Sequence, residues 1–266
     1  WHKGTDNGVM AEPPLKLAIR TGNDVLELRH ENEWPLKRTQ WTKFYFDLSR
    51  SPPQGQPQTG ILAKENPKAE SSCTYPAFSL GTMGSTSAAS SQVMGGGGIK
   101  PGMGVALQTP PLPHDIEVTG PLMASFWVSS ESEDMDLFLT LRNFDADGDE
   151  ILETGQQGAP VPVAKGWLRV SHRELDPELT LPYRPYHKHQ RRLYLKPGEI
   201  VQVQVEIWPT SMVFKKNHHI RLDVQPRDGA GSAGYLHYHA DYNTGTNTIY
   251  AGGERESYLL LPVIPS

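Results

Sequence analysis

KPGEIVQVQVEIWPTSMVFKKNHHIRLDVQPRDG, residues Lys196 to Gly229, carries the cleanest periodic signal in the chain. From Val201 to Ile207 the side chains alternate without a break. Val201, Val203, Val205 and Ile207 fall on one face, and Gln202, Gln204 and Glu206 on the other. Period two predicts a half-buried antiparallel strand. Pro197 and Gly198 supply turn geometry before it, and Pro209, which lacks a ladder donor, is expected to end it. Ile220 to Val224 repeats the pattern, with Ile220, Leu222 and Val224 inward and Arg221 and Asp223 outward. A strand with one wet face needs a second sheet over the other, which predicts an all-β sandwich. A parallel sheet would instead read as unbroken apolar runs.

Other strands are expected along the chain. Leu15, Leu17 and Ile19 form a first, and Lys43 to Asp47 a second. Leu122 to Val128, Leu137 to Leu141, Ile151-Leu152, Trp167 to Ser171, Tyr235 to Tyr238 and Tyr258 to Val263 supply the rest. Eight or nine strands with little helical periodicity suit a jelly roll. The segment Leu175 to Leu195, rich in Pro, Tyr and His, reads as a long irregular connection. From Ser51 to Pro113 periodicity disappears, and Gly95 to Gly98 is a run of four glycines. Two readings compete there: a linker, or an extended arm packed over a neighbouring surface by Tyr75, Phe78, Met83, Val93 and Met94.

Composition narrows the function classes. The chain has 266 residues with 25 glycines and 23 prolines spread among alternating segments, so the excess signals turns. A net charge of −5 without a Lys/Arg block argues against nucleic acid as a partner. The longest apolar runs are a few residues, so no membrane partner and a soluble protein are expected. The chain opens Trp1, His2, Lys3, Gly4, as a piece of something longer would. One cysteine, Cys73, excludes an internal disulfide and leans towards a reducing, cytoplasmic compartment. In its Ser-rich loop it reads as an inert thiol.

Each candidate chemistry has a plainer competitor. No serine has glycine at both the second position before and the second after it, so the strained elbow of an α/β-hydrolase nucleophile is missing. Asp145, Asp147 and Asp149 have the start of a calcium loop, but Gly148 comes at the fourth position and Gln156 at the twelfth, so a hairpin turn is the better reading. His187/His189 and His237/His239 are H-x-H pairs, and His218/His219 lies between the two leading strands. A jelly roll carrying such a pair can hold iron, manganese or zinc, so a cupin-like metal-dependent enzyme using His237, His239 and Asp241 is one alternative. No histidine follows His239 to complete that set. Aromatic-rich loop packing is the plainer explanation. A carbohydrate-binding module is a further alternative, marked by an aromatic platform on a sheet face or loop end.

Val118-Thr-Gly-Pro121 leads into LMASFWVSS; Asp134-Met-Asp136-Leu-Phe-Leu139, Gly166-Trp-Leu-Arg169 and Pro197-Gly198-Glu199 before the leading strand follow. Together these resemble the C-terminal region of the X-Pro dipeptidyl-peptidase and cocaine-esterase family of α/β-hydrolase serine hydrolases. Lys3-Gly-Thr-Asp-Asn-Gly8, Pro13-Pro14-Leu-Lys-Leu17 and Glu33-Trp34-Pro35 resemble that family's passage out of its catalytic domain. The resemblance is dense from 114 to 229 and loosest from 51 to 105. It implies an all-β, galactose-binding-like jelly-roll sandwich over 114–266, an arm over 51–113 crossing the substrate cleft, and a short remnant of the α/β-hydrolase domain over 1–50. It also implies no cofactor and no catalytic residue in this chain, with the triad upstream of Trp1. The partner it implies is the missing α/β-hydrolase domain, and a homo-oligomer stays open. Trp1, Trp34, Trp41, Tyr75, Phe78 and Met83 are the expected cleft or interface residues.

Overall fold

The structure, a computed structural model, describes residues 3–52, 58–77, 104–155, 158, 160–226 and 244–265. Its strands in chain order begin with β1 (Leu15–Gly22), β2 (Val25–Glu31), β3 (Gln40–Asp47), β4 (Gln58–Ala63), β5 (Ser71–Pro76), β6 (Val105–Gln108), β7 (Ile116–Ser130) and β8 (Asp136–Phe144). They continue with β9 (Glu150–Ile151), β10 (Glu153–Thr154), β11 (Pro160–Val161), β12 (Ala164–Arg169), β13 (Val201–Phe214), β14 (His219–Gln225), β15 (Thr246–Ala251) and β16 (Tyr258–Ile264). The expected strand at Tyr235 to Tyr238 lies outside the described residues.

β13 alternates as its sequence demands: Val203, Val205 and Ile207 are buried, with Gln202, Gln204 and Glu206 on the wetter side. Pro209 does not end the strand. Ile207 pairs with Leu122 and Thr210 with Gly120, so β13 carries one extra residue against β7 at that point. Trp208 and Pro209 both turn outward there, and Thr210, Met212 and Phe214 point inward again beyond it. A bulge leaves a backbone position unpaired, which is where a strand tolerates proline.

The long β7 is the centre of the sheet. One of its edges pairs with β13 from Ile116 to Val128, and the other with β16 and then β15. From β13 the pairing runs through β12, β8, β14, β6, β4, β3 and β16 back to β7, so the sandwich closes on itself. Phe46, Phe126, Leu107, Leu139, Leu222 and Phe214 are among the wholly buried residues that fill the inside. This is the all-β sandwich that the alternation predicts. On β14, Ile220, Leu222 and Val224 face the core as expected. Asp223 points away from it yet is fully buried, because the Arg142 guanidinium lies over it at 2.7 Å and also holds Glu150 at 2.6 Å.

Two stretches expected to lie outside the sandwich contribute strands to it. Within 51–113, β4 pairs with β3 and β6, β5 with β15, and β6 with β14. These strands are short, and only one or two apolar side chains in each reach the core, so no alternation is legible. Cys73 is therefore not a loop residue: it is buried on β5, where desolvation pushes its thiol up to about 12. Within 1–50, β3 pairs with β16 through six residues from Gln40 to Tyr45. Residues 78–103, with the glycine run, lie outside the described residues.

β1 and β2 form a hairpin at the sheet margin. Asn23 and Asp24, at φ 53° and 62°, make its turn, a conformation these residue types tolerate. Arg29 holds the hairpin down through a bidentate pair with Glu117 of β7 at 2.6 and 2.8 Å. The Asp145–Asp149 segment is the predicted hairpin turn between β8 and β9: the Asp145 carboxylate accepts from the Asp147 and Asp149 backbone N–H groups.

Candidate functional site

The site is built where β12 meets β13. Gly166 pairs with Ile207, and a Cβ on Gly166 would lie 2.2 Å from the Glu206 carbonyl oxygen. Only glycine lets the two backbones approach this closely. The next outward residue on each strand is tryptophan. Trp167 and Trp208 are 52% and 63% exposed, with ring centroids 5.4 Å apart and planes inclined at 51°. They flank an open cleft of about 580 Å³. Glu206 lines its floor, and burial raises its carboxyl above the usual range against the opposing pull of Arg184. On the β12 side, Arg169 and Asp136 form a two-pronged pair at 2.8 and 2.9 Å.

The far wall is histidine. His172 closes the short 3-10 turn Val170–His172, and the irregular connection from 174 to 195 folds back to bring His187 and His189 beside it. Nδ1 of His172 and Nδ1 of His189 are 3.0 Å apart, sharing one proton as donor and acceptor. His187 packs against the Gln204 backbone, and its Nε2 has no partner among the described residues. Burial, reinforced by the neighbouring His189, holds His187 below its ordinary value; burial and His189 do the same to His172. The H-x-H pair at 187 and 189 is thus not a strand pair. Nor do the described residues gather three His, Cys, Asp or Glu side chains as a metal-ligand set. His218 and His219 diverge: the first donates to Asn143 Oδ1 at 3.0 Å and the second to the Thr109 carbonyl at 2.8 Å. His237, His239 and Asp241 lie outside the described residues.

Of the residues expected to form a cleft or interface, Trp34, Trp41 and Tyr75 are among the described residues. Trp34 and Trp41 are partly exposed, and Trp41 stacks on Tyr183. Tyr75 is corrected: it is wholly buried on β5, opposite Asn247 of β15, because the segment that carries it is a core-facing strand. Trp1, Phe78 and Met83 lie outside the described residues. A separate apolar groove of about 550 Å³ runs past Pro110, Leu112, Pro113, Ile116, Val263 and Pro265. The sequence signal that marks the Trp167–Trp208 pair is a large aromatic on the polar side of an alternating strand, where burial does not explain it.

Residues 7–260 match the family described as the X-Pro dipeptidyl-peptidase C-terminal non-catalytic domain. The chain belongs to that family. As a member of the X-Pro dipeptidyl-peptidase C-terminal family, it is 26% identical over 287 residues to the cocaine esterase of Rhodococcus sp. (strain MB1 Bresler), covering 98% of this chain and 44% of that protein. Its fold is similar to that of a CocE/NonD family hydrolase from Staphylococcus aureus, with a TM-score of 0.80 and 24% identity over 99% of this chain and 43% of the other. An alpha-amino acid ester hydrolase shares the fold more distantly, with a TM-score of 0.58 and 14% identity over 94% of this chain and 41% of the other. The chain thus spans less than half the length of these relatives.

Proposed function

We propose that this chain is the C-terminal portion of a serine hydrolase acting on an ester or a peptide or amide bond, and that it packs on an α/β-hydrolase domain and helps wall the substrate cleft. The observation that carries this reading is the match of 7–260 to a domain family described as non-catalytic, within relatives more than twice as long. The absence of a G-x-S-x-G elbow from the sequence agrees with it. So do the apolar side chains left outside on β2, where Val25, Leu26 and Leu28 are each more than half exposed.

In this reading the reaction is acyl transfer: serine attacks the carbonyl, an acyl-enzyme forms, and water hydrolyses it. The chain contributes binding and position but no reacting group. Assaying a p-nitrophenyl ester with the chain alone, and with its catalytic domain supplied as a second chain, tests this. No turnover from the chain alone, with turnover appearing or rising on mixing, is the expected result. Turnover by the chain alone that a serine-directed reagent abolishes overturns it.

A further inference from the structure

We propose that the Trp167–Trp208 cleft is a binding site for a neutral oligosaccharide. This does not depend on the hydrolase reading above. A sugar ring presents C–H groups on its faces and hydroxyls around its rim, so it needs aromatic surface in one place and hydrogen-bonding groups beside it. The cleft offers both. The two indoles are more than half exposed, 5.4 Å apart and inclined at 51°, which makes a trough with apolar walls. Neither is held by its own fold in a way that burial explains, since each stands on the outward side of a strand whose inward residues, Leu168 and Ile207, are the buried ones.

The polar rim is charge-balanced. Asp136 is matched by Arg169, and Glu206 is faced by Arg184, so an anionic or cationic ligand meets no uncompensated opposite charge. A neutral polyol meets acceptors and donors of both kinds. The Glu206 carboxylate has no hydrogen-bond donor among the described residues, and a sugar hydroxyl at the foot of the indoles supplies one. The imidazoles of His172 and His189, with their Nδ1 atoms 3.0 Å apart, close the far end. An open cleft of about 580 Å³ admits a chain that enters and leaves along it, as an oligomer requires.

Titrating the 266-residue chain with cellohexaose, xylohexaose and mannohexaose, following tryptophan emission and the heat of mixing, tests the proposal. At least one of the three is expected to bind saturably. The double variant Trp167→Ala/Trp208→Ala should weaken that binding by about tenfold or more, and Glu206→Gln by several-fold. Lys37→Ala, far out on the exposed surface, should leave it unchanged. Both indoles are exposed, so the double variant should keep the wild-type circular dichroism. If it does not, Glu206→Gln alone decides. The proposal is overturned if none of the sugars binds at about 10 mM, if binding is undiminished in the variants, or if p-nitrophenol binds at the tryptophans while every sugar fails.

Discussion

The indole of Trp41 and the ring of Tyr183 lie parallel, with centroids 4.4 Å apart and 3° between their planes. One belongs to β3 and the other to the irregular connection from 174 to 195. The same connection sets His187 against Gln204 of β13, so it crosses the outer face of the sheet with β7 and β16 between its two footholds. Met123 of β7 and Leu260 of β16, paired on that face, are buried. An outer sheet face that would otherwise be wet is covered by chain without regular structure. Replacing Tyr183 with Ala removes one foothold and should cost about 1–2 kcal/mol in urea unfolding. It should also speed tryptic cleavage after Lys188, whereas Tyr183→Phe keeps the stack and should leave both stability and cleavage near the wild type.

Arg142 is buried between two carboxylates, Asp223 and Glu150. Removing Asp223 leaves Arg142 with Glu150 as its remaining carboxylate but with its buried Nε–H lacking an acceptor, so Asp223→Ala should destabilise the fold by about 1–3 kcal/mol. Chemical denaturation at neutral pH measures it. Arg221, which also reaches Asp223 at 2.6 Å, lies nearer the surface. Its replacement by Ala should cost clearly less.

Gly166 tests the closure of the sandwich. A methyl group there meets the backbone of Glu206 and Ile207, which cannot turn aside as a side chain can. Gly166→Ala should therefore push β12 away from β13, at a cost of about 1–3 kcal/mol or more, and should alter the emission of the adjacent Trp167 and Trp208. Glycine at position 148, with open space around it, gives the contrast in steric terms.

The histidine wall makes the fold sensitive to mild acid. His172 and His187 are held below their ordinary value of 6.5, chiefly by burial, with His189 and Arg192 adding to the effect on His172. Their folded forms therefore bind fewer protons than the unfolded chain at a pH just below 6.5. Stability is full above that value and falls as pH drops from 6.5 towards the lowered folded values. The urea midpoint should decline between pH 7 and pH 5.5, roughly the interval in which an imidazole charges. His187→Gln should flatten that slope. Glu31 and Glu117, both lowered in the fold, act in the same direction further down: the first is held chiefly by Arg38, and the second by Arg29 and Thr119 against desolvation. They add acid sensitivity only below the usual glutamate range near 4.5.

Much of the fold was legible because strands wet on one face write their geometry as period two. β13, β14, β7 and β8 were read by their alternation. β4, β5 and β6 were not, since short strands that place one or two apolar residues in the core leave no period to detect. β2 escaped notice because Val25, Leu26 and Leu28 are all exposed at the sheet margin, so polarity does not alternate along it. At the candidate site, Leu175 to Leu195 was legible as an irregular connection from its Pro, Tyr and His content, and His187 and His189 sit on it, with His189 at φ 53°. Trp167 and Trp208 each carry a local signal, a large aromatic on the polar side of a strand, but nothing in the sequence shows that they meet, since forty residues of chain separate them.

What the sequence by itself determined was the sandwich class and the strands that alternate, because burial of one face is a local pattern that each strand carries alone. The family resemblance was equally present in the residues from Val118 to Val224. Only the tertiary structure decided that β13 runs on through Pro209, that Asp223 is buried beneath Arg142, and that two outward tryptophans meet across Gly166. Each of these depends on which backbone lies next to which. That is settled by long-range pairing and close approach between strands, and no periodicity along a single segment records it.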